Sequence, residues 1–211
     1  MRRMENKNKD ISAMLKDAVI LFAITLISGL ILGFVYQITK EPIAAQEAKA
    51  IQEACAAVFP DTPGVSFELV DYVPSAQLTA EIQDTGVEIG TVYAAVSQGG
   101  MLSGYVVETT TKEGYGGNIV IYVGITTDAK VNGVSILEIA ETPGLGMNAE
   151  EVLVPQFAGK DAAEFTVTKS GSTTPSEIDA ITGATVTSDA VVNAVNGAVR
   201  VVTEELVEGG R

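Results

Sequence analysis

Histidine and tryptophan are missing from this 211-residue chain, and Cys55 is its only cysteine. These absences exclude a haem attachment motif, a thiolate cluster, a histidine-rich metal site and an intrachain disulfide. They also exclude Ser-His-Asp and Cys-His catalytic arrangements. Any chemistry must therefore rest on carboxylates, hydroxyls, backbone amides or an imported cofactor. We predict that Cys55 is a small, buried apolar residue.

Basic residues become scarce after the first 17 positions. The net charge of the chain is −14, but residues 1–17 carry +2 and the remainder carries −16. A surface this acidic repels phosphate backbones, so we predict that the protein does not bind nucleic acid.

One long apolar run lies near the N-terminus. Residues 18–38 read AVILFAITLISGLILGFVYQI and contain no charge, and about 20 apolar residues span a bilayer as a helix. A cleaved signal peptide is the alternative, but its apolar core is shorter, roughly 7 to 15 residues. We therefore predict an uncleaved, single-pass anchor in the cell membrane, in contact with lipid. Within it, Gly29 and Gly33 have the spacing that lets another helix approach closely, although ordinary glycines in a membrane helix explain them equally well.

The charges that flank the run predict its orientation. Five basic residues precede it, whereas only Lys40 and Lys49 follow closely. The positive-inside rule then places the N-terminus in the cytoplasm and residues 40–211 on the other side of the membrane.

Beyond the anchor, the pattern predicts one α+β domain. Pro42 is expected to interrupt the helix that leaves the membrane, and strong helix formers resume over 44–59. Residues 60–88 are expected to be loop with short strands. Runs rich in Val, Ile, Tyr and Thr, separated by turns at hairpin distances, then predict an antiparallel β core. The expected strands are 90–98, 102–111, 118–127, 130–140 and, later, 164–168.

Two helices complete the expected domain: a short one near 148–157, and a long closing helix from Ser188 to about Val207. The predicted organisation is a cytoplasmic N-terminus (1–17), a transmembrane helix (18–38), a connecting helix and linker (39–88) and an extracytoplasmic domain (89–211).

Just before the closing helix, residues 179–185 read DAITGAT. Thr187 or Ser188 would make a good N-cap for that helix. The start of a helix offers free backbone amides and a positive dipole end, which suit a phosphate. Gly183 would let the backbone come close, and Thr185 would present a hydroxyl there. The simpler interpretation is an ordinary turn, in which Thr182 bonds its own backbone and Asp179 is a solvated acid.

This stretch resembles the attachment motif of proteins to which a flavin transferase links FMN by a phosphodiester bond to threonine. Two further stretches support the resemblance: ETPGLG (141–146), a rigid loop after a strand, and KEGYGGNIVIYVGI (112–125). Although ETPGLG alone would more often be a plain turn, the three together are similar to the FMN-binding G subunit of Rnf electron-transport complexes. The similarity extends along essentially the whole chain.

The resemblance implies a covalent FMN on Thr185 and a set of residues around it. Asp179, Thr182, Gly183 and Ala184 would form the motif that the transferase recognises. The residues implied around the flavin or its phosphate are Thr187, Ser188, Glu141, Thr142, Gly144, Leu145, Gly146, Tyr115, Gly116 and Gly117. No catalytic residue and no metal ligand are implied.

The implied function is an electron relay within a membrane complex that couples ferredoxin:NAD⁺ oxidoreduction to Na⁺ or H⁺ translocation. Its partners would be the other membrane and peripheral subunits and, during maturation, the flavin transferase. By itself the chain would oxidise neither NADH nor ferredoxin. Three alternatives stay open: the equivalent FMN subunit of the sodium-pumping NADH:quinone reductase, a stand-alone extracellular flavin carrier, and a membrane-tethered structural or ligand-binding domain without a cofactor.

Overall fold

The structure, a computed structural model, describes residues 2–207, with side chains from residue 14 onward. The side chains of Arg2, Arg3, Lys7 and Lys9, on which the orientation of the anchor depends, therefore lie outside the described residues. The chain divides into two compact units, Met1–Lys49 and Ala50–Arg211.

Helix α1 (Arg2–Ala57) contains the apolar run. From Met14 onward it is long and apolar enough to cross a membrane, with a mean hydropathy of 2.7 over its most apolar stretch. Its large apolar side chains, such as Leu21, Phe22 and Leu32, are exposed. Such a surface suits a lipid environment, since in water it would form a large apolar patch.

The prediction that Pro42 interrupts this helix is wrong, because α1 continues through Pro42 to Ala57. Proline removes one backbone hydrogen bond and crowds the carbonyl four residues earlier. In a helix of 56 residues, with alanine, glutamine and glutamate on its C-terminal side, the remaining bonds keep the helix intact.

The second unit is built on a five-stranded antiparallel sheet in the order β1-β2-β3-β4-β5. This confirms an α+β domain with an antiparallel β core. The four predicted strands agree with the structure to within three residues at every end, and the unspecified short strand expected before residue 88 is β1. The strands are β1 (Ser66–Leu69), β2 (Val87–Val96), β3 (Leu102–Thr111), β4 (Ile119–Thr126) and β5 (Val131–Ile139).

Both faces of this sheet are covered, because alternate residues of a strand point to opposite faces. On β3, Val107 packs into the larger apolar cluster with the closing helix, whereas Val106 packs into a smaller cluster with Cys55 and Val58. Cys55 is 1% exposed, as predicted, and burial with the nearby Glu108 raises the pKa of its thiol to about 12. The thiol therefore stays protonated and behaves as an apolar side chain.

Two strand glycines make room for Val58. Gly124 and Gly133 are paired across β4 and β5. A Cβ added to Gly124 would stand 2.9 Å from the Cβ of Val58, and one added to Gly133 would stand 2.9 Å from its Cα. The Val58 carbonyl also accepts a 2.7 Å hydrogen bond from the Asn132 side chain. These contacts explain glycines that a strand would otherwise disfavour.

Helix α2 (Ala76–Gln83) was not predicted from the sequence, although Ser75 caps it by accepting a bond from the Leu78 amide. Its Leu78 and Ile82 belong to the larger cluster. Both β1 and α2 precede residue 89. The sheet-containing unit thus begins before residue 89. The start of the flavin domain at residue 89 stays a prediction.

After β5 the chain passes through short elements to the closing helix. The helix predicted over 148–157 is three short pieces, and the strand predicted over 164–168 is β6, paired in parallel with an unpredicted β7. Helix α4 contacts β2, β3 and β4 and ends in a π-helical segment. The elements are a 3₁₀ turn (Gly146–Asn148), α3 (Ala149–Val152), a second 3₁₀ turn (Val154–Gln156), β6 (Thr166–Thr168), β7 (Glu177–Asp179), α4 (Thr185–Arg200) and the π segment (Val201–Val207).

Candidate functional site

A tight turn precedes helix α4. The amide of Ala184 donates to the carbonyl of Ile181 at 3.0 Å, and Gly183, third in the turn, has φ +82°. That left-handed conformation requires glycine or asparagine at this place in a type II turn. Thr182, which comes before it, is exposed. The order Thr182-Gly183-Ala184 therefore suits a tight turn that leads directly into α4.

Helix α4 begins at Thr185, three residues earlier than predicted. The prediction that Thr187 or Ser188 is the N-cap is wrong, because the N-cap is Ala184, which has no side-chain oxygen to give. The Ser188 hydroxyl instead donates to the Ala184 carbonyl at 2.9 Å and accepts from the Ile181 amide at 3.0 Å, which fixes the turn to the helix. The first-turn amides of α4 are consequently left without a capping side chain, at the positive end of the helix dipole.

The three candidate threonines differ in exposure. Thr185 is half-buried at the first helical position, Thr187 is 1% exposed, and Thr182 is exposed. A capping role would have occupied the Thr187 oxygen with helix amides, but this oxygen lies beside the ETPGLG loop instead.

That loop follows β5 and contains a second tight turn. The Leu145 amide donates to the Thr142 carbonyl at 3.1 Å, with Pro143 second in the turn and Gly144 third at φ +76°. Proline and glycine at these two places specify a type II turn. Gly146 then begins the 3₁₀ turn.

The two turns pack against each other. A Cβ added to Gly183 would lie 3.2 Å from a methyl group of Leu145, and one added to Gly146 would lie 2.7 Å from the Thr187 hydroxyl oxygen. Both glycines are thus places where the two loops approach closely.

The Gly-rich segment before β4 contacts the start of the same loop. The Gly116 amide donates to the Glu141 carboxylate at 3.2 Å. A Cβ on Gly116 would stand 2.0 Å from the Ala140 carbonyl oxygen, so only glycine fits there. Tyr115 is 76% exposed, and Gly117 faces open space at φ +143°.

These three segments enclose one cavity of about 530 Å³. Its volume is within the range of about 300–1,000 Å³ that is typical of small-molecule sites. Nine of the predicted site residues line this cavity. Val186 also lines it and was not predicted, although its position directly after Thr185 could have indicated it. The lining residues are Tyr115, Glu141, Thr142, Leu145, Gly146, Gly183, Ala184, Thr185, Val186 and Thr187.

Six predicted residues do not line the cavity. Ser188, Gly116 and Gly144 support it through the contacts already described, while Thr182 and Gly117 lie outside it. Asp179, at the end of β7, is half-buried. One of its carboxylate oxygens is 3.3 Å from the Ser172 hydroxyl, and the other is buried without a hydrogen-bond partner among the described residues.

The arrangement fits a flavin mononucleotide. A phosphate bound beside Thr185 would meet the uncapped amides of the first turn of α4, where an anion is stabilised. The apolar side chains of Leu145 and Val186 and the ring of Tyr115 can cover a flat aromatic group. By contrast, no group of three or more metal-ligating side chains occurs within the described residues.

Comparison with known proteins identifies the family of the chain. Residues 114–200 match the FMN-binding domain family, and residues 4–58 match the RnfG N-terminal region. The chain is 34% identical over 204 residues to the G subunit of the Na⁺-translocating ferredoxin:NAD⁺ oxidoreductase complex of Acetobacterium woodii, a match that covers 94% of this chain and 97% of that relative. It is 39% identical over 196 residues to the G subunit of the proton-translocating complex of Clostridium ljungdahlii, covering 89% of this chain and 95% of the relative.

Among solved structures, a crystal structure of NqrC from Shewanella oneidensis is 27% identical, with a TM-score of 0.43 over 50% of this chain and 53% of that one. The two G-subunit relatives are matched along nearly their whole length. The chain therefore belongs to the family of G subunits of ion-translocating ferredoxin:NAD⁺ oxidoreductase complexes, and its C-terminal region belongs to the FMN-binding domain family.

Proposed function

We propose that this chain is an electron-relay subunit of a membrane complex and that it carries FMN linked covalently to Thr185. The observation that carries this proposal is the cavity at the start of α4. Thr185 and residues of the 141–146 loop line this cavity, and the first turn of α4 beside it has no capping side chain.

Thr185 is the preferred attachment site among the three threonines. Thr187 is also on the cavity wall, but at 1% exposure it is too enclosed to meet a second protein. Thr182 is exposed but does not line the cavity. Of these three, only Thr185 is both partly accessible and on the cavity wall.

The linkage would be made by a separate flavin transferase from a flavin dinucleotide. The Thr185 oxygen forms a new bond to the flavin-side phosphorus, and the bond from that phosphorus to the AMP oxygen breaks. AMP leaves, and the hydroxyl proton passes to a base of the transferase. We propose that Asp179, Thr182, Gly183 and Ala184 are the segment that the transferase recognises.

The residues of this chain would then hold the cofactor in a defined place. Thr185 and the first-turn amides of α4 would hold the phosphodiester, and the loop from Glu141 to Gly146 would close over the ring with Tyr115 and Val186. The flavin, when bound, would supply the one- or two-electron chemistry. The relatives are named for ferredoxin:NAD⁺ oxidoreductases, one Na⁺-translocating and the other proton-translocating, so the ion is left open here.

We also propose that residues 18–38 span the membrane in contact with lipid, with residues 1–17 in the cytoplasm and the flavin domain outside it. The basic residues before the span support this orientation. A reporter fused after Arg211 should be active only outside the cytoplasm, and activity inside would overturn the topology.

Mass spectrometry tests the attachment. When the full chain is coexpressed with a flavin transferase, the peptide that contains Thr185 should gain the mass of one FMN less water. Thr185→Val keeps the shape but has no hydroxyl, so it should give folded, colourless protein. Thr127→Val, at an exposed threonine that does not line the cavity, is the matched control and should stay yellow after denaturation. Covalent flavin on Thr185→Val would refute the assigned site, and colourless wild-type protein would refute the proposed function.

A further inference from the structure

Glu141 is the one charged side chain among the residues that line the cavity. No basic side chain faces it across that lining. We propose that the Glu141 carboxylate lowers the reduction potential of the bound flavin. This inference rests on the proposed function and adds a specific role for one residue of the site.

The carboxylate is held in place from several sides. Glu141 is 7% exposed, and one of its oxygens accepts the Gly116 amide at 3.2 Å. A Cβ on Gly114 would stand 2.9 Å from that oxygen, and a Cβ on Gly146 would stand 2.8 Å from the other. Glycines thus form the walls of a slot for the carboxyl group. A group enclosed in this way cannot turn into solvent when the charge of its neighbour changes.

The wall of the cavity therefore contains both a positive helix end and one negatively charged side chain. The uncapped first turn of α4, with its positive dipole end, suits the anionic phosphodiester at Thr185. Glu141 follows β5 and lines the same cavity, and a Cβ placed on Gly146 would lie 2.8 Å from its carboxylate and 2.7 Å from the Thr187 hydroxyl oxygen. An electron added to the ring adds negative charge, which a fixed carboxylate sheltered from water repels. Reduction becomes harder, and the potential falls.

A low potential suits the reaction for which the relatives are named. Ferredoxins are low-potential carriers, and a relay between such a donor and later acceptors works with little loss when its own potential is also low. With neutral polar and apolar walls alone, the cavity would contain no group that opposes reduction.

The test replaces the charge and keeps the shape. Glu141→Gln retains the oxygen that accepts the Gly116 amide, so the slot should persist. The full-length flavinylated protein, purified in detergent, is titrated by spectroelectrochemistry. We expect the one-electron equilibrium to shift about tenfold toward the reduced flavin, which corresponds to about 59 mV. Glu138→Gln, on β5 three residues before Glu141, is the control, because Glu138 is exposed and does not line the cavity. The flavin potential of this variant should stay at the wild-type value.

Two further measurements keep the result interpretable. Melting of Glu141→Gln in a flavin-free Thr185→Val background should match that of Thr185→Val alone, because the hydrogen bond is kept. Should Glu141→Gln not fold, Thr142→Lys places a positive charge on the same lining and should also raise the potential. An unchanged potential in the flavinylated variant would overturn the inference but leave the flavin relay intact, whereas an absence of flavin in the wild type would overturn the relay itself.

Discussion

Two of the cavities beside helix α4, one at its first turn and one at its last turns, differ in whether their polar groups already have partners. The cavity near its end, about 390 Å³, includes Arg200, which is bonded to Glu81 and Glu204. The cavity at its start has uncapped amides and the Thr185 hydroxyl. Satisfied charges contribute a little stability, whereas unsatisfied donors can bind a ligand. The volumes of the two cavities alone would not indicate which of them binds a ligand.

The largest effect is expected where the start of α4 meets the 141–146 loop. Gly146→Ala would place its Cβ 2.7 Å from the Thr187 oxygen and 2.8 Å from the Cβ of Glu141. Overpacking of this kind costs about 1–3 kcal/mol, and the displaced loop should reduce flavin loading at least tenfold. Loading is measured by absorbance after denaturation.

Gly159→Ala is the matched control for that variant. Gly159 has φ +77° and nothing within 4 Å of an added Cβ, so its cost is backbone strain of about 1 kcal/mol. Flavin loading should not change. Equal loading of the two alanine variants would contradict the close approach of the two loops.

The same substitution at two positions of α4 separates packing from binding. Val195 is 0% exposed, and Val195→Ala should lower stability by about 2 kcal/mol through lost burial and a residual cavity. Val186 is 51% exposed, so Val186→Ala should change stability by less than about 0.5 kcal/mol. However, Val186→Ala should alter the visible spectrum of the flavin, because Val186 lines the cavity. Thermal melting measures the stability of both variants, and absorbance measures their flavin spectra. A spectral change in Val195→Ala but not in Val186→Ala would contradict the assignment of Val186 to the flavin site.

The end of α4 should respond to pH. Hydrogen bonds from Ser75 and from the Tyr72 hydroxyl lower the pKa of Glu205 below its ordinary value of 4.5. A lowered folded-state pKa stabilises the protein above the unfolded value, and this stabilisation is lost as the pH falls through the folded value. Glu205→Gln should therefore be less stable than the wild type at pH 7, and the difference should shrink below about pH 4.5.

Urea unfolding at a series of pH values measures this difference. Glu150→Gln, which alters an exposed acid, is measured alongside as the control. If the difference in unfolding free energy between wild type and Glu205→Gln grew as the pH fell, this would contradict the hydrogen bonds from Ser75 and Tyr72 to Glu205.

The smallest effect is expected from the ion pairs at the second cavity. Arg200→Gln removes the pairs with Glu81 and Glu204, which are partly exposed, and such pairs are weak and screened by salt. The melting temperature should fall by less than it does for Val195→Ala, and the difference from the wild type should diminish at high salt. Flavin loading should stay unchanged. A loss of flavin in this variant would mean that the two cavities are not independent.

Local patterns were sufficient for much of the fold. Runs rich in Val, Ile, Tyr and Thr, separated by turns at hairpin distances, predicted the antiparallel strands, because residue type and turn chemistry are properties of neighbouring residues. The predicted helix break at Pro42 was wrong, because the effect of one proline depends on the length of the helix on either side of it. The start of α4 was also misjudged, because a serine that could cap a helix was used four residues into it to tie back the preceding turn.

The motifs around Thr185 were predicted from their residues and their resemblance, and their roles remain predictions. The sequence could show that Gly183 and Gly144 allow positive φ, that Thr185 is beside a helix start, and that no side chain can serve as a redox centre. By itself it determined an apolar N-terminal helix that is long enough to cross a membrane, and an antiparallel β domain.

Tertiary structure alone decided which of these segments meet. The lining residues come from three segments, around 115, 141–146 and 183–187, which are tens of positions apart and meet because α4 packs on β4 and β4 pairs with β5. It also decided that Glu141 is enclosed by Gly114, Gly116 and Gly146. Contacts of this kind depend on the packing of the whole domain, and no local periodicity encodes them.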